Sequence, residues 1–537
     1  MASSGFRSSL FSGFFPRRVL SVLVLLALSH PMSVGAAEQP APTNAELSRV
    51  ISQSAASDVE RRELTAIYDS AGRRLLWTAR HRRFALLRFV IGLEAHGIDV
   101  RQIGPLPGDQ PAEAVDEDVA ATRAVLRASH IMAGDAIDAS AIPGWHLPRS
   151  TLNAARAITN AVRQEKLGAL LDSLAPAAAG YDRLRSAYLQ YRRMSSESWP
   201  QIDPSGPRIV ESGDPRMAAI RARLVILGDL AGDDESDQTF VTGVQRFQER
   251  HGLEPDGLIG PATLAQLNVS PASRASQIAI NLDYWRLLPR EWPTRYVAVN
   301  AAAAHLDVIQ DNKVSFTTRV IVGDPGHPTP LMKSVITAVT FNPPWNVPFS
   351  IATREMLPRL RRDGSYLERS NIEIVGRPDD PFGSKVDWNL YSRSNFPFSL
   401  RQIPGPGNAL GLVKFEMPNS FDVYLHDTPD RSLFEKNARS LSHGCVRVQC
   451  AQELAEHLLD DPAIWLTTDL RLALEMGRTL QMRLKAPVPV YLLYFTAFVG
   501  EDGTVHFRPD VYGRDRGLRQ SLPASAAVSG ASGLKGS

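Results

Sequence analysis

The stretch Ser442-His443-Gly444-Cys445-Val446-Arg447-Val448, SHGCVRV, is where the chain declares its chemistry. It holds one of only two cysteines in 537 residues, with a histidine two positions before it and a glycine between. A free cysteine is either a small buried hydrophobe or a reactive thiol. Glycine ahead of the thiol admits an unusual backbone dihedral and lets a substrate come close. Adjacent N–H groups in such a turn suit an oxyanion. A nucleophilic thiol also needs a base or a cation nearby, and two histidines compete for that role. His443 is close in sequence, which does not establish contact. His426 lies upstream in Phe421-Asp-Val-Tyr-Leu-His-Asp-Thr-Pro429. Read as a strand, that segment puts Phe421, Val423 and Leu425 on one face and Asp422, Tyr424 and His426 on the other. His426 is then expected at the strand end, away from the apolar face. These parts meet the demands of cysteine acyl transfer through a thioester.

The second cysteine, Cys450, precedes AQELAEHLLDD, in which Ala451, Leu454, Ala455, Leu458 and Leu459 share one face at helical spacing. A bridge from Cys445 to Cys450 would close a very small loop, so Cys450 is expected as a packed residue and Cys445 as a free thiol.

Composition sets the frame. Apolar residues make up 44% and charged residues 22% of a chain long enough for several domains. The net charge of +2 argues against a dedicated nucleic-acid binder. Arg17-Arg18, the apolar run Val19–Leu28 and small residues near Ala36-Ala37 predict a secretory signal peptide over 1–37. The run is about half of the roughly 20 residues a spanning helix needs. A mature protein in the periplasm is the expectation.

Residues 38–205 are Ala-, Arg- and Leu-rich and predict a helical scaffold, with one hairpin at IYDSAGRRLLW turning at Ser70-Ala71-Gly72. A three-helix module is expected over 210–272, from the stripes Met217/Ile220/Leu224/Leu227 and Phe240/Val244/Phe247 and a third helix opened by Gly260-Pro261. From 294 the pattern alternates, and Gln310–Lys313 marks a hairpin turn. A β-rich domain is predicted over 294–475, interrupted at 350–405 by a helical insertion with Arg354, Arg359, Arg361 and Arg362. A C-terminal β-hairpin extension, turning at Gly500–Gly503, is expected over 476–516, and a disordered tail over 517–537. The fold class is therefore multidomain α+β.

Other chemistries fit poorly. Cys445, His443 and His426 lack a fourth zinc ligand at a recognisable spacing, and HExxH is absent. SGLK at Ser532–Lys535 stands in the tail with no K-T-G. There is no P-loop and no dinucleotide fingerprint.

HDTP followed by SHGCVRV resembles the catalytic motif of the L,D-transpeptidases, the YkuD-like family, and VGDPGHPTP and NPPWNVP resemble its upstream pattern. VQRFQERHGLEPDGLIGPATLAQLN, with Phe247, Gln248, Gly252, Leu253, Asp256, Gly257, Gly260, Pro261 and Thr263, resembles the peptidoglycan-binding domain type 1. The whole arrangement is similar to the large YcbB-type enzymes of Gram-negative bacteria. The resemblance implies Cys445 as nucleophile, His426 as general base, and Asp427 orienting the imidazole through its carbonyl. It implies His443 at the site and the Gly444/Cys445 N–H groups as oxyanion hole. Tyr424, Ser442 and Arg447 are expected around the substrate. Many relatives carry asparagine where Arg447 stands. Its guanidinium suits either a substrate carboxylate or a structural ion pair. The implied reaction takes a stem tetrapeptide as donor, expels D-alanine and forms 3→3 cross-links between diaminopimelate residues. Water, a lipoprotein lysine or a different donor position would change the product, and a wall-binding protein without catalysis is the other class. The implied partners are peptidoglycan stem peptides and other cell-wall synthases or hydrolases, with no cofactor and no metal. The insertion is expected to act as a mobile lid over Cys445.

Overall fold

A computed structural model describes residues 43–104, 115–149, 152–205, 213–232, 237–460 and 476–521. The expected leader and residues 522–537 lie outside them. The chain divides into two compact units.

The first unit takes the described residues of 1–90, 103–129 and 154–173 and is helical. Helix Asp58–Ser70 begins at Ser57, whose side chain accepts from the Glu60 N–H, and buries Leu64, Ile67 and Tyr68. The hairpin predicted at IYDSAGRRLLW does not form. Ile67–Ser70 close this helix, and Gly72 and Arg73, at φ 67° and 58°, turn the chain out of it. Leu76 and Trp77 then donate their N–H groups to the buried carboxylate of Asp118 (3.0 and 2.8 Å), not to a second strand. Glycine marks a helix end as readily as a hairpin turn.

The second unit holds everything else described. Its centre is a sheet of β1 (Trp145–His146), β2 (Arg295–Asn300), β3 (His305–Gln310), β4 (Lys313–Gly323), β5 (Leu331–Phe341), β9 (Val413–Glu416), β10 (Leu425–His426), β11 (Ser440–Ser442), β12 (Val446–Val448) and β13 (Leu480–Leu493). The order runs β1-β5-β13-β2-β3-β4-β12-β10-β9, and β9 pairs again with β5, so the path closes on itself. The alternation read in the sequence is visible here. Val297, Val299, Leu306 and Val308 are fully buried on the inner face, and Asp311-Asn312 (φ 50° and 64°) make the two-residue turn between β3 and β4. Helix Ala451–Leu459 buries the five residues its stripe predicts.

Three boundaries differ from expectation. The C-terminal segment is no separate extension, because β13 sits inside the central sheet, parallel to β2 and antiparallel to β5. Only β14 (Ala497–Val499) and β15 (Val505–Phe507) form the predicted hairpin, with Gly500 N–H bonded to Thr504 O. Helix Arg514–Ser521, with Leu518 fully buried, occupies the start of the predicted tail. The insertion is mixed: beside its helices, β6 (Trp345–Asn346), β8 (Leu400–Gln402) and β7 (Ile372–Ile374) form a three-stranded sheet around a core of its own, including Met356, Leu360, Leu367, Trp388 and Phe396.

Helices Met217–Leu227, Asp237–Arg250 and Pro261–Leu267 build the small module around Ile220, Leu224, Phe240, Val244, Phe247 and Leu264. It packs on the C-terminal hairpin. Arg508 Nη1 donates to Arg250 O (2.9 Å), and the His251 and Phe507 rings stack at 5.5 Å.

Candidate active site

Two very short strands carry the site. β10 lies parallel to β12, with Leu425 opposite Val446 and His426 opposite Arg447. Leu425 and Val446 are fully buried in the core. By the period-two rule Tyr424, His426, Cys445 and Arg447 therefore share the opposite face. The long strand predicted from Phe421 is absent. Asp422 sits at φ 53°, and the ladder begins only at Leu425.

The Cys445 turn is built by a network of hydrogen bonds among its neighbours. Gly444, at φ 112°, needs glycine. Ser442 is buried. Its Oγ donates to Cys445 O (2.5 Å) and accepts from the Gly444 N–H (3.1 Å). Ser442 thus closes the turn. The same contact engages the Gly444 N–H. The upstream VGDPGHPTP segment supports the turn from below. Thr329 Oγ1 donates to Gly444 O (2.8 Å) and accepts from Gly323 N–H (2.9 Å), and Asp324 N–H bonds Ser442 O (2.8 Å). A side chain on Gly323 would strike the His327 carbonyl.

Asp427 fixes His426 as expected from its carbonyl: His426 Nδ1 lies 2.5 Å from Asp427 O. Nδ1 donates there, which leaves Nε2 as the nitrogen to take a proton. The Asp427 carboxylate is held in turn by the Leu412 N–H (2.9 Å) and Arg431 Nη1 (2.8 Å). His426 is buried, and burial first, then the neighbouring Arg447 charge, push its pKa down to about 3. It is a neutral imidazole near neutral pH.

Cys445 and Cys450 are both free. The Cys445 thiol donates to Asp422 O at 3.7 Å. Burial pushes its pKa up. Hydrogen bonds from Tyr424 and the charges of Arg447 and Lys414 oppose that shift. Cys445 and His426 share a face without a hydrogen bond between them. Both shifts favour the neutral forms, thiol and imidazole.

Tyr424 stands against the thiol and stacks a tilted ring near His426, 5.6 Å between centroids. His443 points elsewhere: its Nε2 pairs with Glu355 Oε1 (2.9 Å), and its ring lies 5.0 Å from that of His327. Glu355 belongs to the insertion, in a wide helical turn, Ala352–Met356. Sequence reading missed Glu355 and His327. His327 lay inside a quoted motif without a role, whereas Glu355 had no local signal, since its partner is far away in sequence. Arg359 and Arg362 turn back onto the insertion, to Tyr366 and Pro358, and Arg361 to Tyr391. Among the described residues no cluster of three His, Cys, Asp or Glu is arranged to hold a metal.

Residues 294–489 match the L,D-transpeptidase catalytic domain (YkuD). Residues 62–187 match a scaffold domain, and 213–267 match the "Putative peptidoglycan binding domain". Over 253 residues the chain is 36% identical to a Haemophilus influenzae protein named "Putative L,D-transpeptidase", covering 46% of this chain and 50% of that protein. The chain thus spans about half the length of the curated relative it matches. The catalytic-domain and module resemblances seen in the sequence are found again here, as is the mixed fold class with its helical scaffold.

Proposed function

We propose that the protein is a peptidoglycan L,D-transpeptidase that works through a Cys445 thioester and forms 3→3 cross-links outside the cytoplasm. The observation that supports this most is a free cysteine in a glycine-shaped turn, on one sheet face with a buried, carbonyl-oriented histidine.

The acyl transfer follows from those residues, and the donor and acceptor from the family resemblance. Substrate displaces the weak thiol contact to Asp422 O and brings a carbonyl over Sγ. The thiol proton passes to His426 Nε2, and the thiolate attacks the carbonyl at the L-centre of diaminopimelate. The Cys445 N–H faces the oxyanion. On collapse, His426 returns its proton to the departing D-alanine amine, leaving a thioester. The side-chain amine of a second stem then attacks while His426 takes its proton, and the thiol is restored. His426 is suited to this because it starts neutral. The wall-binding resemblance of residues 213–267 supports peptidoglycan as the substrate, and among the described residues no helix is long and apolar enough to cross a membrane.

Product analysis on a purified stem tetrapeptide tests the reading. Dimers linked between two diaminopimelate residues are expected. Tripeptide alone would make the enzyme an L,D-carboxypeptidase, and an unchanged tetrapeptide would reject catalysis.

A further inference from the structure

Arg447 is the group at this site that the mechanism above leaves without work. Its Nε is buried and has no hydrogen-bond partner. Buried donors are nearly always satisfied, and an orphan calls for an explanation. The available carboxylate does not supply one: Asp430 Oδ2 stands 4.0 Å from Nη1, on a side chain 68% exposed. An ion pair that long and that wet contributes little. Yet Arg447 holds a central place, directly opposite His426 across the β10–β12 ladder and two residues from Cys445 on the same face.

That position bears on both partners of the first chemical step. Moving a proton from Sγ to Nε2 leaves an electron pair on sulfur and a cation on the imidazole. The cation forms beside a fixed guanidinium. Arg447 favours the thiolate but resists the imidazolium, in agreement with the directions in which it moves both groups. A planar guanidinium with an unengaged edge takes a carboxylate in a two-point contact. A carboxylate seated there would satisfy Nε and cancel the Arg447 share of the positive charge at His426, Lys414 on the opposite ladder supplying the rest.

We propose that Arg447 is a carboxylate subsite and a switch: a donor carboxylate flanking the scissile bond pairs with its guanidinium and thereby licenses proton transfer from Cys445 to His426. This rests on the acyl-donor reading above. The enzyme would then activate its nucleophile only when a correctly charged stem is in place, and the resting thiol would stay inert.

The test uses the full chain and three synthetic tetrapeptides ending in diaminopimelate–D-alanine: one with all carboxylates free, one amidated at the C-terminus and one amidated at the D-centre of diaminopimelate. Acylation of the enzyme is followed by intact mass across donor concentrations. The wild type should lose about 10²-fold in acylation with one of the two amides, and the loss should persist in the limiting rate at saturation. Which amide fails identifies the carboxylate. Arg447→Asn should shrink that preference to within about threefold, and Arg447→Lys, which keeps the charge but not the fork, should retain part of it. Equal limiting rates for all three donors on the wild type would overturn the switch and leave the transpeptidase reading standing. Absence of any adduct with all three would overturn both. An Arg447→Asn enzyme that kept the full preference would place the subsite elsewhere and overturn the assignment.

Discussion

Two regions carry family motifs, and the structure uses them in opposite ways. In the small module the motif residues are bonded to one another. Gln248 is buried, and its Nε2 reaches Asp256 Oδ1 (2.9 Å), Leu258 O (2.8 Å) and Thr263 Oγ1 (3.2 Å), while its Oε1 accepts from the Gly257 N–H (2.9 Å). Gly257, at φ 73°, makes the turn that brings these groups together. That motif describes how a fold closes. In SHGCVRV only Ser442 and Gly444 behave this way. Cys445 has a long bond to a carbonyl, and Arg447 keeps a buried donor unmatched. A motif whose polar groups satisfy each other encodes stability, whereas one that leaves polar groups unmatched on a rigid element encodes chemistry.

The sharpest way to break this contrast is to remove the unmatched groups. Cys445→Ala should abolish cross-linking, to below a few per cent of wild type, and shift the melting temperature by only a few degrees, since the thiol gives up only a long contact to Asp422 O and its hydrogen bonds with Tyr424. His426→Ala should cost about 10²-fold or more in turnover. His443→Ala should cost less, because its ring is turned to Glu355. The reverse order of the two histidines would mean that the wrong base has been chosen.

The resting protonation state is next. His426 has its pKa depressed to about 3 and Cys445 has its own raised, both chiefly by burial. Alkylation of Cys445 by iodoacetamide, without substrate, should therefore climb roughly tenfold per pH unit from pH 6 to 9, following the thiolate fraction. A plateau beginning near pH 6 to 7 would indicate a preformed thiolate–imidazolium pair. Linkage runs with the same sign. Between the ordinary histidine value of 6.5 and about 3 the unfolded chain binds the proton that buried His426 refuses, so this residue costs stability as pH falls through that window.

A moderate effect is expected in the module. Gln248→Ala should destabilise it by about 1–3 kcal/mol, by orphaning the Gly257 N–H and its neighbours, with acylation by a soluble tetrapeptide unchanged. Loss of acylation in a folded variant would show that the module's motif also serves the chemistry.

The smallest effect concerns the clasp between the insertion and the Cys445 turn. The Glu355–His443 pair is partly exposed, so Glu355→Gln should raise the ratio of hydrolysed tripeptide to dimer by only about two- to fivefold. An unchanged ratio would make the insertion a static rim.

What the sequence made legible was local. Alternation exposed β2 to β5, helical stripes gave the module and the helix after Cys450, and the motif pointed to Cys445 and His426. What it hid depended on distant partners. β13 reads as half of a C-terminal hairpin because its true neighbours, β2 and β5, lie far upstream. IYDSAGRRLLW mimics a hairpin because Asp118, remote in sequence, captures the N–H groups of Leu76 and Trp77. The segment before His426 looks like a long strand until Asp422 adopts a left-handed conformation. Sequence likewise does not reveal that the Ser442 hydroxyl closes the turn.

The central claim is that Cys445 becomes the acyl carrier. Intact mass spectrometry of the enzyme after brief exposure to a stem tetrapeptide tests it most directly. A mass gain equal to the tetrapeptide less D-alanine, mapped to Cys445 and absent from Cys445→Ala, is the predicted result. No adduct at all, or an adduct that survives in Cys445→Ala, would contradict it.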